Sequence, residues 1–87
     1  MKDDELDKIL KKGKGEIRVL RGGMWQRVEF VVKEKKTPIG SYNVLSTDRI
    51  INAEECVRIA NEYNFPVETP SGLFFPSGKS ASDFVKK

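Results

Sequence analysis

Gly78-Lys79-Ser80 ends the way a nucleotide-binding phosphate loop ends, with a lysine and a hydroxyl placed to hold phosphates over backbone amides. That loop needs four residues between its first glycine and the Gly-Lys pair, and five lie between Gly72 and Gly78. Only eight residues follow Lys79, too few for the long helix and magnesium-binding carboxylate of phosphoryl transfer. A weaker reading, an anion resting on the amides near Lys79 and Ser80, stays open. The chain has no histidine, which removes Ser-His-Asp and Cys-His nucleophiles and Cys/His zinc clusters together. Its one cysteine, Cys56, has no partner for an internal disulfide and reads as a small buried residue on a helix. No spacing supports carboxylate or lysine catalysis. The expectation is a protein that is not an enzyme and needs no cofactor or metal.

Cations carry the stronger signal. Residues 8–36 hold ten lysines and arginines against the three acids Glu16, Glu29 and Glu34, whereas 37–87 are slightly acidic. A polyanion backbone is met by several cations on one surface, with an aromatic plane nearby for bases or a groove wall. Lys14, Arg18, Arg21, Trp25, Arg27, Lys33, Lys35 and Lys36 make that set, and the ligand it suggests is nucleic acid, DNA or RNA. The plain alternative is a solvated charged surface partly neutralised by its own glutamates. A competing class is a protein-interaction module or small inhibitor that uses a strand edge or a Met24-Trp25 anchor.

These residues lie on alternating runs, Glu16 to Arg21 and Gln26 to Lys33, joined by Gly22-Gly23-Met24-Trp25, which spell a β-hairpin over 16–33. A two-glycine loop sets Arg18 opposite Arg27 and Glu16 opposite Glu29, like-charge pairs that each cost a few tenths of a kcal/mol. A four-residue loop sets Arg18 opposite Glu29, and charge pairing favours it. Either register keeps Ile17 and Val19 on one face with Val28, Phe30 and Val32. In the longer loop Met24 and Trp25 occupy the tip, from which the indole either folds back beneath the first helix, as large aromatic residues commonly do, or stays out as a contact.

The rest of the chain must support that ribbon. Leu6, Ile9 and Leu10 give an amphipathic helix over 3–12 with acids early and lysines late, Asp3 or Asp4 as its cap and Gly13 just past its end. Gly13-Lys14-Gly15 then reads as a flexible connector. Pro38 stops the second strand, and a third is expected near 41–46 with Tyr42 and Val44 on one face. Asn52 and Glu55 form a capping arrangement for a helix over 53–63, ended by Asn64 and Pro66, with Cys56, Val57, Ile59, Ala60 and Tyr63 inward. Short strands near 65–69 and 73–75 follow, then a helical turn begun by Ser80 and Asp83. The order helix, three strands, helix is similar to the double-stranded RNA-binding domain in architecture alone: the helix that grips phosphates there with lysines opens here as Ala53-Glu54-Glu55.

Eighty-seven residues make a single domain over 1–87, in which folding buries roughly 60–65% of the unfolded chain's surface. The fold class expected is α+β, an antiparallel sheet of three to five strands with two helices packed on it. No apolar run reaches membrane-spanning length and the acidic N-terminus does not resemble a signal peptide, so no membrane partner is expected and the expected compartment is cytoplasmic. An uncovered strand edge leaves homodimerisation open.

Overall fold

The computed structural model describes residues 2–86. In order these form α1 (Lys2–Lys12), β1 (Lys14–Arg21), β2 (Met24–Thr37), β3 (Gly40–Ser46), α2 (Ala53–Tyr63), β4 (Val67–Thr69), β5 (Gly72–Phe74) and a 3₁₀ turn at Ala81–Asp83. All five strands join one sheet in sequence order. The α+β expectation stands, with one correction to the antiparallel sheet: β3 and β4 run parallel. A parallel neighbour cannot be reached by a tight turn, and α2 is the crossover that carries the chain back.

Local chemistry sets the boundaries of α2. The Asn52 side chain accepts the Glu55 N–H at 2.8 Å, and Asn64 takes the left-handed conformation while its N–H bonds to the Ala60 carbonyl. One stripe of α2, Cys56, Ile59, Ala60 and Tyr63, packs with Ile17, Val19, Val28, Phe30, Leu45 and Val67 of the sheet. Val57, expected inside, is 39% exposed, and Glu55 is buried instead. Ile9 of α1 docks on the same core, close enough to Gly15 that no side chain fits between them. The capping position of α1 lies outside the described residues; Asp4 is already within the helix.

The hairpin corrects the expected register. Its loop is Gly22-Gly23 alone, so Arg18 faces Arg27 and Glu16 faces Glu29. Both glycines have positive φ, 57° and 79°, the conformation a two-residue hairpin turn requires and glycine adopts without steric cost. Turn geometry and two further rungs, Leu20–Trp25 and Arg21–Met24, outweigh two like-charge pairs. The strands also run further than 16–33. Of the supposed connector only Gly13 is a turn, its N–H bonding back to the Ile9 carbonyl, while Lys14 and Gly15 pair with Val31 and Phe30. The charged tail Lys33 to Lys36 is strand paired to β3.

A second apolar group lies beyond the main core. Tyr42 and Phe75 rings stand 5.9 Å apart, Phe75 and Phe84 6.2 Å, and Phe84 and Phe65 5.8 Å. The Lys86 N–H bonds to the Ser41 carbonyl, holding the C-terminal segment against β3. No helix among the described residues is long and apolar enough to cross a membrane.

Candidate functional site

Residues facing one another across a ladder share a side of the sheet, so the register sorts the candidate residues. The rungs Ile17–Val28 and Gly15–Phe30 point at the helices. The alternate rungs, Lys14–Val31, Glu16–Glu29, Arg18–Arg27 and Leu20–Trp25, point away, and the series continues through Lys33–Val44 and Lys35–Tyr42. Lys14, Arg18, Trp25, Arg27, Lys33 and Lys35 therefore share the outer face. Arg21 and Lys36 do not.

Among the described residues, two of the eight have side chains held by a hydrogen bond or an ion pair. Arg21 donates from Nε to the Ile50 carbonyl and from Nη1 to Gln26, each at 3.1 Å, fastening the hairpin to the segment before α2. Lys35 is ion-paired with Glu68 of β4. Among the described residues Lys14, Arg18, Arg27 and Lys33 make no ion pair, although Glu16 and Glu29 stand on the same face.

Trp25 does not lie beneath α1. It is 53% exposed, and the guanidinium carbons of Arg18 and Arg58 each sit 5.3 Å from its ring centroid, within cation–π range. The sequence alone does not single out Arg58, because its helix face reads as ordinary solvated charge. The signal that marks it is the stripe Glu55, Arg58, Glu62, spaced three and four apart on α2. Arg58 donates from Nε and Nη2 to the two Glu55 oxygens at 2.8 and 2.6 Å and is ion-paired with Glu62. Its Nη2 also reaches the Arg18 carbonyl at 3.3 Å, beside the Leu20 N–H held by Glu55. Hydrogen bonding to Arg58 holds the Glu55 carboxyl below the usual carboxylate value against the opposing effect of burial.

Two shallow depressions adjoin along this edge. One, of about 260 Å³, is lined by Arg18, Trp25, Arg58, Glu62 and Tyr63. The other, of about 300 Å³, shares Arg18 and Tyr63 and adds Arg27, Glu16 and α1 residues Glu5, Lys8 and Ile9. The surface is open and cationic at its middle, suited to an extended anionic ligand rather than an enclosed small molecule.

Elsewhere the candidate chemistry is spent on structure. The Ser80 N–H, where an anion would rest, donates to the Asp83 carboxylate at 2.7 Å. Cys56 is buried with its sulfur 3.3 Å from the Thr69 hydroxyl, and burial pushes the thiol up, away from nucleophilic use. No protein-family model matches this chain, and neither do the curated proteins or the solved structures at a significant level.

Proposed function

We propose that this is a non-enzymatic nucleic-acid-binding domain, acting in the cytoplasm, which meets its ligand with the outer face of the β1–β2 hairpin. What supports the reading is one arrangement: Lys14, Arg18, Arg27 and Lys33 point the same way without carboxylate partners among the described residues, beside a half-exposed tryptophan. Phosphates on four such cations release counterions, and affinity then falls with salt.

The test is a titration of labelled DNA and RNA at two salt concentrations. Four engaged phosphates give a slope of log K against log salt of about −4 on duplex DNA and about −3 on single strands. Replacing Arg18, Arg27 and Lys33 together by glutamine weakens the complex and leaves the fold intact. Absence of any binding at about 50 mM salt ends this reading.

A second reading rests on the apolar residues near the hairpin tip. Leu20, Met24 and Ile50 are 40%, 66% and 73% exposed, which suits a protein partner anchored there. Recovery of a defined protein complex that Met24→Ser abolishes, with no nucleic-acid binding, would favour it.

A further inference from the structure

We infer that the nucleic acid this face takes is single-stranded, with one base stacked on Trp25 and the flanking phosphates on Arg18, Arg27 and Lys33. The inference rests on the nucleic-acid reading and adds to it the form of the ligand.

The hairpin is not a free arm. A two-stranded ribbon reads duplex DNA by entering the major groove, roughly 12 Å wide, which it can do only if both its edges are clear. Here neither edge is. Along β1, Glu55 and Arg58 of α2 hydrogen-bond to the Leu20 N–H and the Arg18 carbonyl, so a helix stands against that side. Along β2, β3 pairs with the strand from Val31 onward, and before that Asp48 and Arg49 line a depression together with Arg27 and Glu29. The ribbon is the open face of a broad body measuring 40 × 24 × 22 Å. Such a face can lie along an extended strand but is too wide to insert.

A single strand also explains what a duplex leaves unused. Its bases are free to unstack, and an exposed indole offers them a flat apolar surface without regard to sequence. Trp25 supplies that surface once a base takes the place of the Arg18 or Arg58 guanidinium that stands over its ring, and the displaced cation then lies where the adjoining phosphates would pass. From Trp25 to Lys33 the outer face runs eight residues along β2, roughly 27 Å at 3.4 Å per residue. That length matches single-strand sites of a few nucleotides.

Trp25 is the chain's one tryptophan, so its emission reports directly on stacking. The full chain is titrated with an oligothymidine and an oligouridine of about 12 nucleotides and with a duplex of equal length, following both labelled-strand anisotropy and Trp25 fluorescence. The expected result is quenching by the single strands and affinity at least about tenfold above that for the duplex. Trp25→Ala loses about five- to hundredfold of single-strand affinity and little of the duplex affinity, and Trp25→Phe keeps most of both. A far-UV melt of each variant checks its fold, and should Trp25→Ala unfold, quenching in the parent chain decides. Duplex binding as tight as single-strand binding, or single-strand binding that leaves the emission unchanged, overturns the inference while the cationic face survives. Failure of every nucleic acid to bind overturns both.

Discussion

The Glu55 carboxylate accepts the backbone N–H of Leu20 at 2.7 Å, joining residues thirty-five positions apart. β1 is an edge strand of the sheet, and an unpaired edge there would be a template for another chain. Glu55 supplies the acceptor and Arg58 the donor that a neighbouring strand would have supplied at Leu20 and Arg18. At these positions the edge needs no second copy to cover it. Because the same Arg58 stands over Trp25, one half-buried ion pair covers the sheet edge at these two positions and shapes the candidate surface.

Replacing Glu55 separates its two tasks. Glu55→Ala leaves the Leu20 N–H without an acceptor and Arg58 without its two-point partner, and the expected loss is about 2–3 kcal/mol, since the residue is only 7% exposed. Glu55→Gln retains a carbonyl for Leu20 and costs about 1 kcal/mol. Urea unfolding measures both, and equal losses would mean that the charge, not the acceptor, holds the edge.

The same pair sets an acid limit. Arg58 keeps the Glu55 carboxyl below its ordinary value, burial works the other way, and the Leu20 N–H adds to the lowering. A folded pKa below the unfolded one gives stability that is complete above the unfolded value, about 4.3, and is lost as pH falls through the folded value. At the alkaline end, burial, reinforced by the bond to Glu5, pushes the Tyr63 phenol well above its ordinary value. That contribution is complete below about pH 10 and disappears as pH rises through the folded value. The urea midpoint is expected to be level between these limits and to fall beyond each. Glu55→Gln flattens the acid fall, and an acid limb unchanged in that variant would assign it to other carboxylates.

How much of this is legible without coordinates depends on whether the cause is local. Asn52, Asn64 and Pro66 bound α2 through their own backbone preferences, and 53–63 can be read from them directly. Strand parity alone puts Arg18, Arg27 and Lys33 on one side in either register. The register itself is misjudged when charge pairing is weighed without the positive φ that Gly22-Gly23 supplies. Partners brought from afar leave no local trace: Glu68 takes Lys35 from another strand, and Arg58 holds Trp25 outside. β4 has three residues, too few for a periodicity that would show which neighbour it joins.

Gly40 packs directly against the C-terminal segment. Its φ is +138°, and an added Cβ would lie 2.5 Å from Val85 Cγ1 and 2.9 Å from the Lys86 carbonyl oxygen. Gly40→Ala must both strain the backbone and push the segment away, at about 1–3 kcal/mol. Gly13→Ala, at φ +82° with open space around it, costs only about 1 kcal/mol. Limited proteolysis of the Gly40 variant should cut first in residues 76–86; a protease pattern like the parent's would show that the segment tolerates the displacement.

The like-charge rungs allow stability and binding to be set against each other. Arg27→Glu turns the Arg18–Arg27 rung into an opposite-charge pair, and Glu29→Lys does the same for Glu16–Glu29. Each exchange should raise stability by a few tenths of a kcal/mol. Their effects on nucleic acid should be opposite: Arg27→Glu removes a phosphate contact, weakens binding and reduces the salt slope by about 1, while Glu29→Lys strengthens binding. Paired urea curves and salt titrations of the two variants read all four quantities. Affinity unmoved by either exchange would show that the ligand touches some other surface, because no charge reversal in the middle of a phosphate-binding face can be silent.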